Sequence, residues 1–186
     1  DVGSSTGNLI KEMSLRHSHL ERVKFILIDE VKDMIDHSKD LLESNNNLNK
    51  RHEFEFINDS IINYDMPSEA SIILSMYTIQ FISPSIRQEI INRIYNSLSW
   101  GGAFFFFEKV NGNDARFHDL LLQNYEDFKL SNGYSLEEIK AKQQSLRGVL
   151  KPFSSYGNHD LLQRAGFVDI QIIFHYGMFQ GILAIK

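Results

Sequence analysis

Two places near the start of the chain carry residue types that could hold a nucleoside. The first is a loop of glycine, serine and threonine within residues 1–7, and the second is Asp29, which follows the apolar run at 25–28. Glycines let the backbone approach a ligand, and an acid at the end of the next strand accepts hydrogen bonds from ribose hydroxyls. The spacing of loop and acid therefore predicts a cofactor that contains a nucleoside.

The glycine pattern of this loop narrows the choice of cofactor. A dinucleotide-binding loop usually reads G-x-G-x-x-G, whereas here Ser5 stands at the second glycine position and Gly7 follows two residues later. No Lys-Ser or Lys-Thr pair follows the glycines, which excludes a P-loop. The pattern favours a nucleoside without a phosphate chain, of which S-adenosylmethionine is the common example. A plain strand-to-helix turn is the alternative.

The composition predicts one α/β domain. With 186 residues, 42% of them hydrophobic, the chain is long enough to bury a core, and no apolar run approaches the length of a membrane span. The absence of cysteine excludes disulfides, thiolate metal sites and a cysteine nucleophile, and it is compatible with the cytoplasmic location that we expect. A net charge of -5 argues against direct nucleic-acid binding.

Strand and helix patterns alternate along the chain, and the last two strands are joined tightly at Gly177-Met178. This order predicts a mostly parallel seven-stranded sheet with helices on both faces and an antiparallel C-terminal hairpin. Because the chain starts inside a motif, we expect an N-terminally truncated domain that lacks most of its first strand. The predicted helices are 8–17, 31–42, 85–98, 114–130, 135–146 and 158–164, and the other strands are 24–28, 54–57, 70–75, 103–107, 168–176 and 179–185.

The longest stretch between two predicted strands is a helical insertion at about 114–147. Phe117, Leu121 and Phe128 recur in it at helical spacing and predict a stripe that faces the sheet, while Leu122 and Tyr125 fall on an adjacent face. Apolar residues on more than one face are hard to bury in a monomer, so we expect a homodimer. A lid that packs on its own domain is the alternative.

Several short motifs together resemble one family. The chain is similar over its whole length to class I S-adenosylmethionine-dependent methyltransferases, and within them to the bacterial carboxy-S-adenosylmethionine synthases. The resemblance implies a Rossmann-like fold, homodimers, and formation of carboxy-S-adenosylmethionine from S-adenosylmethionine and prephenate for tRNA wobble-uridine modification. The motifs are Gln80-Phe81 with Pro84-Ser85 and Arg87-Gln88; Gly101-Gly102-Ala103 with Glu108-Lys109; Asp127-Phe128-Lys129 with Asn132-Gly133-Tyr134-Ser135; and Ala165-Gly166-Phe167.

The resemblance also implies cofactor-binding roles for individual positions. The loop residues match those that wrap the amino-acid moiety and the sugar, and the two acids after Ile28 match those that hold the ribose and the adenosine. A second pair, one acid and one serine, matches the residues beside the adenine, where a carboxylate can accept a hydrogen bond from the exocyclic amine. The positions are Gly3, Ser4 and Ser5 in the loop, Asp29 and Glu30 at the ribose, and Asp59 and Ser60 at the adenine.

Two positions depart from the family pattern. Met76 stands where the family has an asparagine near the cofactor, and Gln143 stands where an arginine binds the extra carboxylate of carboxy-S-adenosylmethionine. A neutral amide lacks the charge-assisted, bidentate contact of a guanidinium, and the loss should cost a few kcal/mol. Lys142 or Arg147 on the same predicted helix are candidates to replace the missing cation.

Other candidate residues carry less information. Tyr77, Tyr125 and Tyr134 could line an acceptor site, because aromatic faces suit a sulfonium cation, although core packing explains such residues equally well. The histidines show no spacing typical of a metal site, so no metal is expected. The sequence identifies no catalytic residue.

Three functions remain open from the sequence. The first is a methyltransferase that uses ordinary S-adenosylmethionine on a small or tRNA-linked acceptor, favoured by Met76 and Gln143. The second is a carboxy-S-adenosylmethionine synthase that uses prephenate, favoured by the full-length resemblance. The third is a non-catalytic cofactor-binding partner in a complex.

Overall fold

A mixed β-sheet with helices on both faces forms the core of the computed structural model, which describes residues 1–17, 19–20, 22–45, 48 and 51–186. The helices are α1 (Asn8–Arg16), α2 (Lys32–Glu43), α3 (Pro84–Ser97), α4 (Ala115–Ser131), α5 (Leu136–Ser145) and α6 (Ser155–Ala165), with a 3₁₀ helix at Ile79–Phe81. The strands are β1 (Val23–Asp29), β2 (His52–Asn58), β3 (Ala70–Met76), β4 (Leu98–Lys109), β5 (Asp169–Tyr176) and β6 (Phe179–Ile185).

The strands lie in the order β2, β1, β3, β4, β6, β5, with Val2 between β1 and β3. Strand pairs β1–β2 and β3–β4 are parallel, whereas β6 is antiparallel to both of its neighbours, which confirms the predicted hairpin. Val2 makes parallel bridges to Ile28 and Ser75, and its N–H donates to the Leu74 carbonyl at 2.8 Å. The described residues thus form six strands rather than the predicted seven, with one bridging residue at the seventh position.

The phenylalanine run in β4 faces two separate cores. Phe104 and Phe106 are buried against α3 and α6 in a cluster that includes Leu162, whereas Phe105 packs with Leu42 of α2 on the other face. Successive side chains of a strand point to opposite faces, so a continuous apolar run fits a strand covered on both sides. Full burial of Phe104 and Phe106 contributes about 2–3 kcal/mol each. The prediction of helices on both faces is confirmed.

The start of β4 differs from the sequence-based prediction. The pattern Trp100-Gly101-Gly102 is typical of the end of a helix such as the predicted helix 85–98, but α3 ends at Ser97 and these three residues lie within β4. The pairing of β4 with β3 shifts its register between Ala70 and Ile72, which accommodates the extra residues of β4. Gly101 lies in this part of β4 and has a φ of 77°. Glycines favour such a bulge as readily as a helix end, so the sequence pattern was ambiguous.

Helices α4 and α5 form close to the predicted ranges 114–130 and 135–146, but α4 does not turn the whole predicted stripe towards the domain. Leu122 and Tyr125 of α4 point inward, and the ring of Tyr125 lies 5.2 Å from that of Phe179 in β6. Phe117 is exposed, whereas the ring of Phe128 lies 5.9 Å from that of Tyr176 in β5 although much of it stays exposed, so the predicted stripe faces the sheet only in part. The inward face also carries Lys129, and apolar spacing alone therefore did not identify it.

Candidate functional site

A cavity of about 420 Å³ opens at the carboxyl ends of β1, β2 and β3, next to the loop that follows Val2. We call it the strand-end cavity. Ligands of open α/β sheets bind at the carboxyl ends of the strands, at the point where the strand order reverses. Here that point is the position of Val2, between β1 and β3. Seven of the nine predicted site residues line it: Gly3, Ser5, Asp29, Glu30, Asp59, Ser60 and Met76.

Asp29 joins the loop to the start of α2. Its Oδ2 accepts from the Ser5 N–H at 2.8 Å, and its Oδ1 accepts from the Val31 N–H at 2.9 Å. The side chain of Asn58 at the end of β2 donates to the carbonyls of Asp29 and Glu30, at 3.1 Å each. Each carboxylate oxygen can accept a second hydrogen bond, so Asp29 is oriented by the backbone and still has acceptor capacity towards the cavity.

Gly3 allows the loop to pass close to the end of β3. Its φ is 71°, and a Cβ at this position would lie 2.1 Å from Oγ1 of Thr78. That hydroxyl donates to the Val2 carbonyl at 3.0 Å and so ties the two segments together. Only glycine fits this conformation and this contact without rearrangement. The sequence predicted the glycine, but no pattern pointed to Thr78.

The remaining predicted loop and strand-end residues take different roles. At the end of β2, Asp59 Oδ1 accepts from the Ser60 N–H at 2.7 Å, and both residues line the cavity. Ser4 does not line it: the side chain is buried, and its N–H donates to the Ile28 carbonyl at 3.0 Å. Ser4 therefore shapes the loop through its backbone rather than by a side chain facing the cavity.

A second cavity of about 550 Å³ lies between the helical insertion and the ends of β4 and β6. We call it the insertion cavity. The three tyrosines considered from the sequence all line it, together with Lys142 and Gln143, whereas Arg147 lines neither cavity. The amide of Gln143 donates to a carboxylate oxygen of Glu126 on α4. Gln143 is thus next to the second cavity and outside the first.

Tyr77 and Phe81 line both cavities and form what we call the shared wall. Tyr77 has a φ of 61°, which is unusual for a residue other than glycine, and its N–H donates to the Phe107 carbonyl at 2.7 Å. Its ring contacts that of Phe179 edge-on at 5.6 Å. Such conformations persist where the surroundings enforce them, and they cluster at functional sites.

A buried carboxylate lies next to the short segment that connects the two residues of the shared wall. Glu108 at the end of β4 is 3% exposed, and burial raises the pKa of its carboxyl to about 8. The guanidinium of Arg87 and the backbone N–H groups of Thr78, Ile79 and Gln80 act in the opposite direction. The carboxyl group thus meets the first amides of the 3₁₀ helix that contains Phe81.

Gln80 connects this buried group to both neighbouring strands. Its Nε2 donates to the Tyr77 carbonyl at 3.1 Å, and its Oε1 accepts from the Lys109 N–H at 2.9 Å. Nη2 of Arg87 donates to the Gln80 carbonyl at 2.9 Å. The sequence motifs contained these residues, but their roles depend on contacts between distant segments and could not be predicted.

The histidines take no part in either cavity, and the described residues contain no cluster of three or more histidine and acidic side chains suited to a metal ion. Among the helices of the described ranges, none combines the length and apolar character that crossing a bilayer requires.

Comparisons with known proteins agree with this architecture. The structure superposes on the methyltransferase SibL with a TM-score of 0.68 at 13% identity, and on human N-acetylserotonin methyltransferase with 0.66 at 18%. Both alignments cover the whole chain, which spans about half the length of these two proteins (49% and 46%). At such identities the likeness shows a methyltransferase-like α/β fold.

Sequence relatives are more informative. No family model matches the chain. The carboxy-S-adenosyl-L-methionine synthase of Staphylococcus epidermidis is 40% identical over 187 residues, covering all of this chain and 77% of the relative. The synthase of Nautilia profundicola is 33% identical over 190 residues, covering all of this chain and 76% of the relative. Because this similarity extends over the whole chain and most of each relative, the chain belongs to the carboxy-S-adenosyl-L-methionine synthase family.

Proposed function

We propose that the chain is an S-adenosylmethionine-dependent transferase whose strand-end cavity holds the cofactor. The arrangement of Asp29 carries this proposal, because its carboxylate is oriented by two backbone N–H groups at the edge of a cavity of nucleoside size. Asp29 and Glu30 would accept from the ribose hydroxyls, and Asp59 with Ser60 would lie beside the adenine. Gly3 and Ser5 would contact the sugar and the amino-acid part through the backbone.

Calorimetry with the Asp29→Ala variant tests the cofactor site. Loss of a charged acceptor for the ribose should weaken S-adenosylmethionine binding by about 1–3 kcal/mol. Asp33→Asn is a matched control, since Asp33 is exposed on the first turn of α2 and lines neither cavity. Unchanged affinity in a folded Asp29→Ala protein would remove Asp29 from the site.

The transferred group and its acceptor distinguish two candidate reactions. In the first, a methyl group passes from ordinary S-adenosylmethionine to an acceptor in the insertion cavity, and the neutral Gln143 and Met76 favour it. In the second, S-adenosylmethionine and prephenate yield carboxy-S-adenosylmethionine for tRNA wobble-uridine modification. The names of the relatives favour this second reaction, as does the position of Lys142 in the insertion cavity.

Mass spectrometry of the purified protein incubated with S-adenosylmethionine and prephenate separates these reactions. Carboxy-S-adenosylmethionine among the products assigns the second, and its absence with a methylated acceptor assigns the first. Methyl transfer, the first reaction, needs positioning more than acid–base groups, because the sulfonium is already activated. Cofactor binding with no product from any acceptor would favour the third function, a cofactor-binding partner.

Assembly as a homodimer in the cytoplasm is part of the same proposal. Helix α4 has no buried residue along its 17 residues, and Phe117, Leu120 and Phe128 on it are exposed. A two-fold partner would cover this surface. Light scattering tests the assembly, and a monomer at micromolar concentration with and without cofactor would contradict it. We further propose a single domain over residues 1–186, with Val2 at the position of a seventh, central strand.

A further inference from the structure

A buried guanidinium holds the backbone on both sides of Phe81. Arg87, near the start of α3, is only 1% exposed. Its Nε donates to the carbonyl of Ile82 at 3.0 Å, and its Nη2 donates to the carbonyl of Gln80 at 2.9 Å. Removing a charge from water is costly unless hydrogen bonds compensate. Here the two acceptors are the carbonyls immediately before and after a single residue of the shared wall.

The segment that contains Phe81 depends on donors from outside. Phe81 ends a 3₁₀ helix of three residues, and its N–H donates to the carbonyl of Thr78 at 3.1 Å. The last carbonyls of a helix have no partner within it, and hydrogen bonds of 3₁₀ geometry are weaker than those of an α-helix. The Gln80 carbonyl also accepts from the Lys151 N–H at 3.0 Å. Contacts with distant residues therefore set the position of this short helix.

The guanidinium is itself held from the side of an aromatic ring. The central carbon of the Arg87 guanidinium lies 4.5 Å from the ring centre of Phe153, which packs against the larger core cluster. Burial lowers the pKa of Arg87, and the carboxyl group of Glu108, when ionised, acts in the opposite direction. Among the ion pairs of the described ranges none includes Arg87. Its charge is thus used on backbone carbonyls rather than on a carboxylate in direct contact.

The side chain that this arrangement fixes faces both cavities. Phe81 is 46% exposed and lines the strand-end cavity and the insertion cavity, whereas Arg87 and Phe153 line neither. A shift of the backbone at residues 80–82 would carry the Phe81 ring into or away from the space of a cofactor. The planar fork of arginine can donate in two directions at once, but the single ammonium group of lysine cannot reproduce that geometry.

We infer that Arg87 is a positioning residue for the cofactor, which it influences from outside the strand-end cavity by fixing Phe81. The inference rests on the proposed function, because it requires S-adenosylmethionine in that cavity. Arg87 would touch neither the cofactor nor its acceptor. Its effect on binding would pass through the ring of Phe81 and would disappear when that ring is removed.

A double-mutant cycle followed by calorimetry with S-adenosylmethionine tests this route. The four proteins are the unchanged chain, Arg87→Lys, Phe81→Ala and the double variant. We expect Arg87→Lys to weaken binding about fivefold when Phe81 is present and by less than about twofold in the Phe81→Ala background. An arginine that only stabilises the fold would give the same loss in both backgrounds.

Two further variants control the experiment. Arg164→Lys makes the same exchange at an exposed position of α6 that lines neither cavity, where Arg164 pairs with Asp160, and it should leave the affinity unchanged. Phe153→Leu keeps both hydrogen bonds of Arg87 but removes the ring beside the guanidinium. It should weaken binding about threefold, again only when Phe81 is present. Melting curves of all variants identify any that do not fold, and Phe153→Leu decides if Arg87→Lys is one of these.

The failures are distinguishable. If Arg87→Lys binds S-adenosylmethionine as tightly as the unchanged protein, or loses the same affinity with and without Phe81, the inference is wrong and the proposed function stands. The same criteria apply to Phe153→Leu. If the unchanged protein does not bind S-adenosylmethionine, the proposed function is wrong and this inference fails with it.

Discussion

The strand-end cavity and the insertion cavity are neighbours, but they are built in different ways. Around the strand-end cavity, Asp29 and the loop before it are held by backbone hydrogen bonds at the ends of parallel strands. Around the insertion cavity, long side chains from α4 and α5 provide the polar groups, and α4 has no buried residue. The fold thus fixes the first cavity, whereas side-chain substitutions can change the second without altering the scaffold.

The largest effect on ligand binding should come from a substitution that distorts only the strand-end cavity. Gly3→Ala places a methyl group against Thr78 at a φ of 71°. Conformational strain and the clash should together cost about 3 kcal/mol of unfolding free energy. We expect S-adenosylmethionine binding to become undetectable by calorimetry, with denaturant unfolding as the measure of stability.

Gly101→Ala is the control for this change. Gly101 has a similar φ of 77°, but a Cβ there meets no atom within 4 Å. It should therefore show the conformational cost alone and leave cofactor affinity unchanged. Normal S-adenosylmethionine binding by Gly3→Ala would mean that the loop can move away from Thr78, and the rigid description of this cavity would fail.

Glu108 lies next to the shared wall of the two cavities, and it should make the free energy of unfolding depend on pH. The pKa of its carboxyl is raised to about 8 in the folded protein, so between its ordinary value of 4.5 and 8 the folded state holds a proton that the unfolded state has released. Its contribution to stability is complete below about 4.5 and is lost as the pH rises through 8. The slope is at most about 1.4 kcal/mol per pH unit.

Glu108→Gln should remove this slope. Urea unfolding at several pH values between 6.5 and 8 measures it, and the difference between the two proteins isolates Glu108 from groups such as His52, whose pKa is lowered mainly by burial. Glu89→Gln, at an exposed position on α3, should leave the slope unchanged. Identical slopes in Glu108→Gln and the unchanged protein would show that Glu108 is ionised throughout this range.

The smallest effect on ligand binding should come from a substitution that changes only the insertion cavity. Gln143→Arg should raise the affinity for carboxy-S-adenosylmethionine relative to S-adenosylmethionine, since a guanidinium matches a carboxylate. Glu126, which now accepts from Gln143, would compete for the new cation, so we expect a gain of only about fivefold.

Competition calorimetry with the two cofactors measures this gain. Gln144→Arg adds the same charge one residue away, at an exposed position that lines neither cavity, and should change nothing. If the unchanged protein already prefers the carboxylated cofactor and Gln143→Arg has no effect, Gln143 does not set the cofactor preference.

The sequence predicted the strand-end cavity better than the insertion cavity, for a physical reason. Gly3, Asp29 and Asp59 each lie at the carboxyl end of a strand position, and parallel strands bring these ends together, so local patterns were sufficient. Lys109 and Lys129, which line the insertion cavity, are 20 residues apart and meet only through the packing of α4 on β4 and β6. Nothing in the local sequence encodes that contact.

The errors in the fold have a similar origin. Both the Trp100-Gly101-Gly102 stretch and the Phe117–Phe128 stripe fit two local structures equally well, and tertiary contacts decided between them. Pairing with β3 placed the glycines in a strand. The packing of α4 places Lys129 on its inward face, beside the apolar residue Leu122. The stripe pattern therefore did not identify the inward face of the insertion.

The shared wall has a consequence for how two ligands would bind. Tyr77 and Phe81 line both cavities, so a molecule that shifts these rings from one side changes the volume open to a molecule on the other side. Thermodynamic linkage then requires that each ligand alter the affinity of the other by the same factor. We expect the cofactor and an acceptor in the insertion cavity to alter each other's affinity, with the same coupling free energy whichever is added first.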